Sequence, residues 1–196
     1  MPSSPPRHRA ALAVVLALAS LALLAAAPTA SARGRICPKL RAVHADTRAG
    51  AHVERAIVCL MNRVRVRSGM RPLHMNRCLD RLAERHTRDM VRRRYFAHSA
   101  AGGRSLGQRA RRFGYSPRRE NWTVGENLAW GAGRSSRALW IVRAWMRSPG
   151  HRANILHRSF RHVGVAAVRG VPTGSRGARR PRTFTVDFGA GGRRHC

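Results

Sequence analysis

Apolar positions in this chain fall into a few stretches of clear period, separated by arginine-rich polar sequence. Ile57, Leu60, Met61 and Val64 recur at i, i+3, i+4 and i+7, the stripe of an amphipathic helix that Gly69 is placed to stop. Pro72 and Leu73 read as a short extended link. A second helix is expected from Asn76, a suitable N-cap, to about Arg94, with Leu79, Leu82, Ala83, His86, Met90 and Val91 on or near one face. Ser105 can cap a short third helix that turns Leu106, Ala110 and Phe113 inward and ends at Gly114.

Residues 115–123 read as a polar loop and Val124–Trp130 as an extended piece. Ser135 or Ser136 is placed to start a helix whose stripe is Leu139, Val142, Trp145 and Met146. Pro149 closes that helix and suits the first position of the next, which puts Gly150 and His151 at a helix N-terminus. His162–Val168 and Thr183–Phe188 alternate and are β-branched, the pattern of two antiparallel strands, joined by a Gly/Pro/Arg loop. Helices first and strands mostly last indicate an α+β chain.

The N-terminal quarter changes the picture of where this domain begins. Arg7, His8 and Arg9 precede the uncharged apolar run Ala11–Ala27, and Ala30-Ser31-Ala32 has the form of a signal-peptidase site. Residues 1–32 are therefore expected to be a secretory signal peptide, with an uncleaved membrane anchor as the alternative. Residues 33–50 form a basic lead-in of no clear period, and 51–196 the folded domain. No second apolar span follows, so no transmembrane segment is expected after cleavage.

An exported chain with an even number of cysteines, Cys37, Cys59, Cys78 and Cys196, is expected to carry two disulfides. Three pairings are open; Cys59 with Cys78 and Cys37 with Cys196 is the one favoured here. The formal charge is +31, and all basic residues but Lys39 are arginines spread over the whole length. That spread suits compositional bias as well as function. Such a field attracts anionic lipids or acidic envelope polymers. Zinc-finger spacing, an aromatic RNP run and a basic zipper are all missing, so nucleic acid is not the expected partner.

Three short polar signals carry the candidate chemistry: FAHS at 96–99, GENLAW at 125–130 and SPGHRANIL at 148–156. They bring His98, Glu126 and His151 from separate segments, a donor set suited to a zinc ion or to acid/base work. Glu126 can ligate, can fix an imidazole tautomer from behind, or can act as the base of a metal-bound water. It can equally tie loops together in a buried polar network. His162, opening a strand, is a further candidate nitrogen, and His86 is expected to be packed. Trp130, Trp140 and Trp145 are expected to be core or layer contacts.

The order CLMNRVRVRSGMRPL, RDMVRRRYFAHS, GENLAW, AWMRSPGHRANIL, FRHVGVA and TFTVDFG resembles the bacterial SCP-like branch of the CAP superfamily, over about Ala51–Gly189. The superfamily includes cysteine-rich secretory proteins, antigen 5 and class 1 pathogenesis-related proteins. The resemblance implies a secreted three-layer α-β-α sandwich with a cavity holding two histidines and acidic residues. In some members the histidines bind zinc or another divalent cation. Carried over, the cavity residues are His98, Glu126 and His151, with His98 and His151 as metal ligands. The second glutamate that many members place three residues after a helical tryptophan is here Ser148, counting from Trp145. The resemblance then favours a non-enzymatic protein binding a lipid or envelope ligand. A divalent-metal hydrolase using His98, His151 and Glu126, and a polyanion binder driven by charge alone, are the alternatives.

Overall fold

The computed structural model describes residues 50–115, 122–173, 177 and 179–192. The expected signal segment 1–32, nearly all of the lead-in 33–50, and the expected Cys37–Cys196 pairing lie outside them. The first helix, α1, spans Gly50–Arg67 and breaks at Gly69, whose φ of 70° is left-handed. A two-residue strand, β1 (His74–Met75), leads into α2 (Arg77–Arg93). The Asn76 side chain caps α2 by accepting from the Cys78 and Leu79 amides at 3.0 and 3.2 Å, an arrangement that stabilises a helix by about 1 kcal/mol. At its other end Arg94 adopts the left-handed conformation, with φ 56° and ψ 48°.

Ser105 and Gln108 form a reciprocal capping box at the start of α3 (Leu106–Arg112). The long strand β2 (Thr123–Gly131) follows. Ser135 and Ser136 do not cap the next helix: they lie in a 3₁₀ turn, Gly133–Ser136, where the Ser136 hydroxyl donates to the Gly133 carbonyl at 2.8 Å. The helix α4 (Ala138–Arg147) starts after Arg137 without a side-chain cap, and α5 (Pro149–Ile155) begins at the proline. β3 (His162–Arg169) and β4 (Arg182–Ala190) close the chain as an antiparallel hairpin.

The sheet order is β1-β3-β4-β2, with β1 parallel to β3 and the remaining pairs antiparallel. Strand alternation divides β4 sharply. Phe184, Val186 and Phe188 enter a core with α1, α4 and α5, including Ile57, Met61, Ile141, Trp145 and Ile155. Each fully buried aliphatic or aromatic side chain there contributes about 1.5–3 kcal/mol. Thr183, Thr185 and Asp187 point to the other face, and all three are fully buried. On that side α2 packs over β3 and β4, and the Thr87 hydroxyl lies 2.7 Å from both the Thr185 hydroxyl and the Ala83 carbonyl. A smaller cluster of Cys78, Leu79, Leu82, Ala110 and Tyr115 fills the space between α2 and α3. The architecture is thus α+β, helices on both faces of one sheet.

Helix α2 approaches the sheet at backbone distance because Gly164 has no side chain: a Cβ there would sit 2.0 Å from the Leu79 carbonyl carbon. That approach lets Asp80 accept the Val165 amide at 3.0 Å, while Glu54 of α1 accepts the Ala167 amide, also at 3.0 Å. Beyond the two residues of β1, the open side of β3 is thus bonded by carboxylates. At the opposite margin Asn154 donates to the Glu126 carbonyl at 3.1 Å and the Trp145 indole to that of Leu128 at 3.0 Å. Arg65 is buried and donates to the carbonyls of Arg71, Ile155, His157 and Phe160, joining α1 to the chain between α5 and β3. Burial lowers its pKa to about 10.

Cys59 on α1 and Cys78 in the cluster between α2 and α3 are both disulfide-bonded. Trp145 is core, but Trp130 and Trp140 are exposed, contrary to the packed state expected for them. No described helix is long and apolar enough to cross a membrane.

Candidate functional site

Glu126 sits in the middle of β2, on the face covered by α2, with its carboxylate almost wholly removed from solvent. A carboxylate so placed needs partners: two elements supply hydrogen-bond donors and a third an imidazole within ion-pair distance. From the loop after α2, His98 Nδ1 lies 2.8 Å from Oε1. From α3, Arg109 Nη2 donates to Oε2 at 2.9 Å. From α2, His86 Nε2 stands 3.8 Å from Oε2. Burial pushes the Glu126 carboxyl up, but the His98 hydrogen bond and the charges of Arg109 and His86 overcome it and hold the group below its ordinary range. Glu126 is therefore ionised.

The loop carrying His98 is pinned by its own backbone. His86 Nε2 lies 3.0 Å from the Ala97 carbonyl, and Arg109 Nη2 also donates to the His98 carbonyl, at 2.6 Å. The Tyr95 hydroxyl donates to Asp89 at 2.8 Å, and its ring meets His86 edge-on. His98 itself remains 63% exposed along its side chain. With Nδ1 donating to Glu126, its Nε2 is the outward nitrogen, the orientation a carboxylate imposes on an imidazole from behind. The hydrogen bond to Glu126 raises the His98 pKa against an opposing effect of burial.

His151 occupies the third position of α5, with Nδ1 3.0 Å from the Ser148 hydroxyl. Its carbonyl accepts from Asn127 Nδ2 at 3.0 Å, and Asn154 donates to the Asn127 side chain at 2.9 Å, which braces α5 against β2. Burial lowers the His151 pKa, and the charge of His98 lowers it further. Of the two histidines, only His98 bonds to Glu126. Asn127 thus serves as a brace and not as a ligand. His162 belongs elsewhere: its Nδ1 lies 3.0 Å from the Tyr115 hydroxyl, and the two rings meet edge-on in the smaller cluster.

The absence of a glutamate at Ser148 does not leave Glu126 as the sole carboxylate. Asp187 stands directly across from it in the β2–β4 register and is fully buried. Both Asp187 oxygens lack a hydrogen-bond partner among the described residues, as do Nε and Nη1 of Arg109 and Nδ1 of His86. Burial drives the Asp187 carboxyl well above its ordinary range, the neighbouring Glu126 charge drives it further, and Arg109 only partly opposes them. Of the two, Asp187 is the carboxyl driven toward holding a proton and Glu126 the one held toward carrying the charge. Sequence offered a signal for Asp187, the polar alternation Thr183, Thr185, Asp187. It offered none for Arg109 among so many arginines.

A group whose folded pKa is raised stabilises the fold fully below its unfolded pKa, about 3.9 for aspartate, and loses that contribution as pH climbs toward the folded value. Glu126 works in the opposite sense, losing its contribution as pH falls below about 4.3. Asp187→Asn keeps the shape and cannot ionise. Relative to wild type it is expected to gain stability steadily as pH rises above about 4, read from urea midpoints at pH 4, 5.5 and 7. Parallel midpoints at all three would show that Asp187 titrates normally.

The family model for cysteine-rich secretory (CAP) proteins matches residues 58–188. The chain belongs to the CAP family. It is 36% identical over 115 residues to the uncharacterized protein YkwD of Bacillus subtilis, covering 59% of this chain and 42% of that one. Among solved structures, an extracellular SCP-domain protein of Bacillus anthracis matches with a TM-score of 0.56 and 27% identity, over 71% of this chain and 40% of its own. An outer surface protein of Borrelia burgdorferi shares the fold, with a TM-score of 0.55 at 18% identity, over 68% of this chain and 89% of its own. This CAP chain spans less than half the length of the two Bacillus proteins. The three-layer arrangement expected from the motifs is the arrangement of these neighbours.

Proposed function

We propose that this CAP domain acts outside the cell as a non-enzymatic binding module, presenting His98 and His151 to a polar envelope ligand. The observation that carries the reading is the state of Glu126: both its oxygens are already engaged, by His98 and Arg109, and its side chain is only 1% exposed. A general base must reach the proton it removes. Glu126 instead acts as a positioning residue, turning the Nε2 nitrogen of His98 outward, where it accepts a hydrogen bond on the neutral ring and donates one once the ring is protonated. His151, with Nδ1 engaged by Ser148, offers a second imidazole beside it. The extracellular description of the Bacillus anthracis relative agrees with this location.

A catalytic zinc takes three protein ligands. Among the described residues no three His, Cys, Asp or Glu side chains are grouped to hold a metal, so the two imidazoles fall short of that set. The reading is tested by sedimenting the protein with purified cell-wall sacculi at high salt, which suppresses non-specific charge binding. Wild type is expected to deplete saturably without releasing soluble fragments, and His98→Ala/His151→Ala to bind at least tenfold more weakly. Fragment release would make the protein an enzyme, and equal binding by both forms would remove the histidines from the site.

A further inference from the structure

Away from the histidines, the outer face of α2 lies between two clefts. One, of about 430 Å³, is lined by residues of α2, the 100–104 loop and α3, with Leu82 and Phe113 as its apolar part and arginines 85, 92, 93, 104, 109 and 112 around them. The other, of about 370 Å³, is lined by α2 and the end of β3, and includes Arg88 and Arg169. Arg85, Asp89 and Arg92 line both, the Asp89 carboxylate being taken up by Tyr95, Arg92 and Arg93. Arg85, Arg88 and Arg92 follow the i, i+3, i+7 spacing of one helix face, so they form a ridge between the two concavities. Neither His98 nor His151 lines either cleft.

Arginine is abundant everywhere in this chain, so its presence alone decides nothing. The distribution of acid does. All six described carboxylates have other engagements: Glu54 and Asp80 on the β3 amides, Glu84 on Arg88, Asp89 on Tyr95 and arginines 92 and 93, Glu126 on His98 and Arg109, and Asp187 sealed behind Glu126. Among the described residues, no carboxylate pairs with Arg85, Arg104 or Arg112. Arg109 adds a second, independent observation. It is 5% exposed and fixed by Glu126, yet its Nε and Nη1 have no acceptor among the described residues. A concave surface in which Arg85, Arg104 and Arg112 face no carboxylate among the described residues, with a fixed arginine in its wall, suits an oxyanion.

We propose that this double cleft binds a linear phosphate-bearing polymer, with successive phosphates on the two sides of the Arg85–Arg92 ridge. Guanidinium forks match phosphate oxygens in pairs. Two clefts sharing one ridge suit repeating charges better than a single ion. The exposed large apolar side chains, Met75, Phe96, Trp130 and Trp140, line neither cleft, so the surface lacks the apolar anchors a bilayer would take up. Phe113 is the one aromatic ring in their walls apart from His86, too few to stack successive bases as single-stranded nucleic acid requires.

The test uses linear polyphosphate of about twenty units, titrated into the full-length protein at several salt concentrations. Arg85→Gln/Arg92→Gln is compared with Arg143→Gln/Arg147→Gln, a pair of exposed arginines on α4 that removes the same charge from the opposite face. The ridge variant is expected to lose at least tenfold in affinity, and its salt slope to fall by about 1.4, at roughly 0.7 per lost contact with a flexible polyanion. The α4 variant should change less than twofold. Equal losses in both variants would reduce the effect to net charge and overturn the proposal. So would tighter binding of phosphatidylglycerol vesicles or of a single-stranded oligonucleotide of equal charge. Since the histidines take no part, this result is independent of the sacculus experiment.

Discussion

Arg109→Ala is expected to cost the fold about 3–5 kcal/mol, the range for removing one partner of a buried ion pair. Arg109 donates to Glu126 at 2.9 Å and to the His98 carbonyl at 2.6 Å, so its loss removes both a buried charge and a backbone anchor. Without it, two buried carboxyl groups face one another across β2 and β4 with only imidazoles to balance them. Urea unfolding at pH 7 should show the loss, with the loop carrying His98 becoming protease-sensitive first because its backbone anchor has gone. Arg109→Lys should recover part of the stability, since an ammonium restores charge but cannot serve both acceptors in a guanidinium's geometry. A loss below about 1 kcal/mol for the alanine variant would mean that His86 and His98 suffice to hold Glu126.

Gly164→Ala is the second substitution with a large expected effect, and its cause is purely steric. The added methyl carbon would lie 2.0 Å from the Leu79 carbonyl carbon and 2.3 Å from the Asp80 amide nitrogen. Both are backbone atoms in the first turn of α2, so no rotamer change relieves the contact. Either α2 lifts from the sheet, or the strand bends away. The expected cost is about 3 kcal/mol or more, at the upper end for overpacking. Loss of the Asp80–Val165 bond should appear as fast amide exchange at Val165 in the surviving folded population. An alanine variant of wild-type stability would show that α2 does not rest on the strand at this distance.

These two positions mark where sequence was informative and where it was not. Local signals were accurate: Asn76 caps α2 and Arg94 ends it, Ser105 opens α3, and the β-branched alternation of 162–168 and 183–188 is the β3–β4 hairpin. Their physics is short-range, so the residues that decide them are neighbours in the chain. The strand β1 escaped notice because two residues carry no period; pairing with His162 and Val163 alone makes it a strand. Ser135 and Ser136 resembled a helix start, but the tight turn before α4 uses them instead. The site divided the same way. His98, Glu126 and His151 stood out as motif residues, whereas Asp187 and Arg109 become meaningful only when register and helix packing set them beside Glu126. The second carboxylate beside Glu126 comes from a strand and not from three residues after Trp145; alternation puts Asp187 on the polar face of β4, but only the pairing register sets it opposite Glu126.

The sheet has one further consequence. Asp80 and Glu54 take the amides of β3 that β1 leaves free, and Asn154 and Trp145 take carbonyls on the outer side of β2. An unpaired edge is a template onto which another chain can add a strand. Here both templates are blocked by side chains from the surrounding layers. Two copies of this protein meeting at high concentration cannot zip their sheets together through these positions, and a partner cannot dock by lending a strand there. Recognition is left to the loops and helix faces.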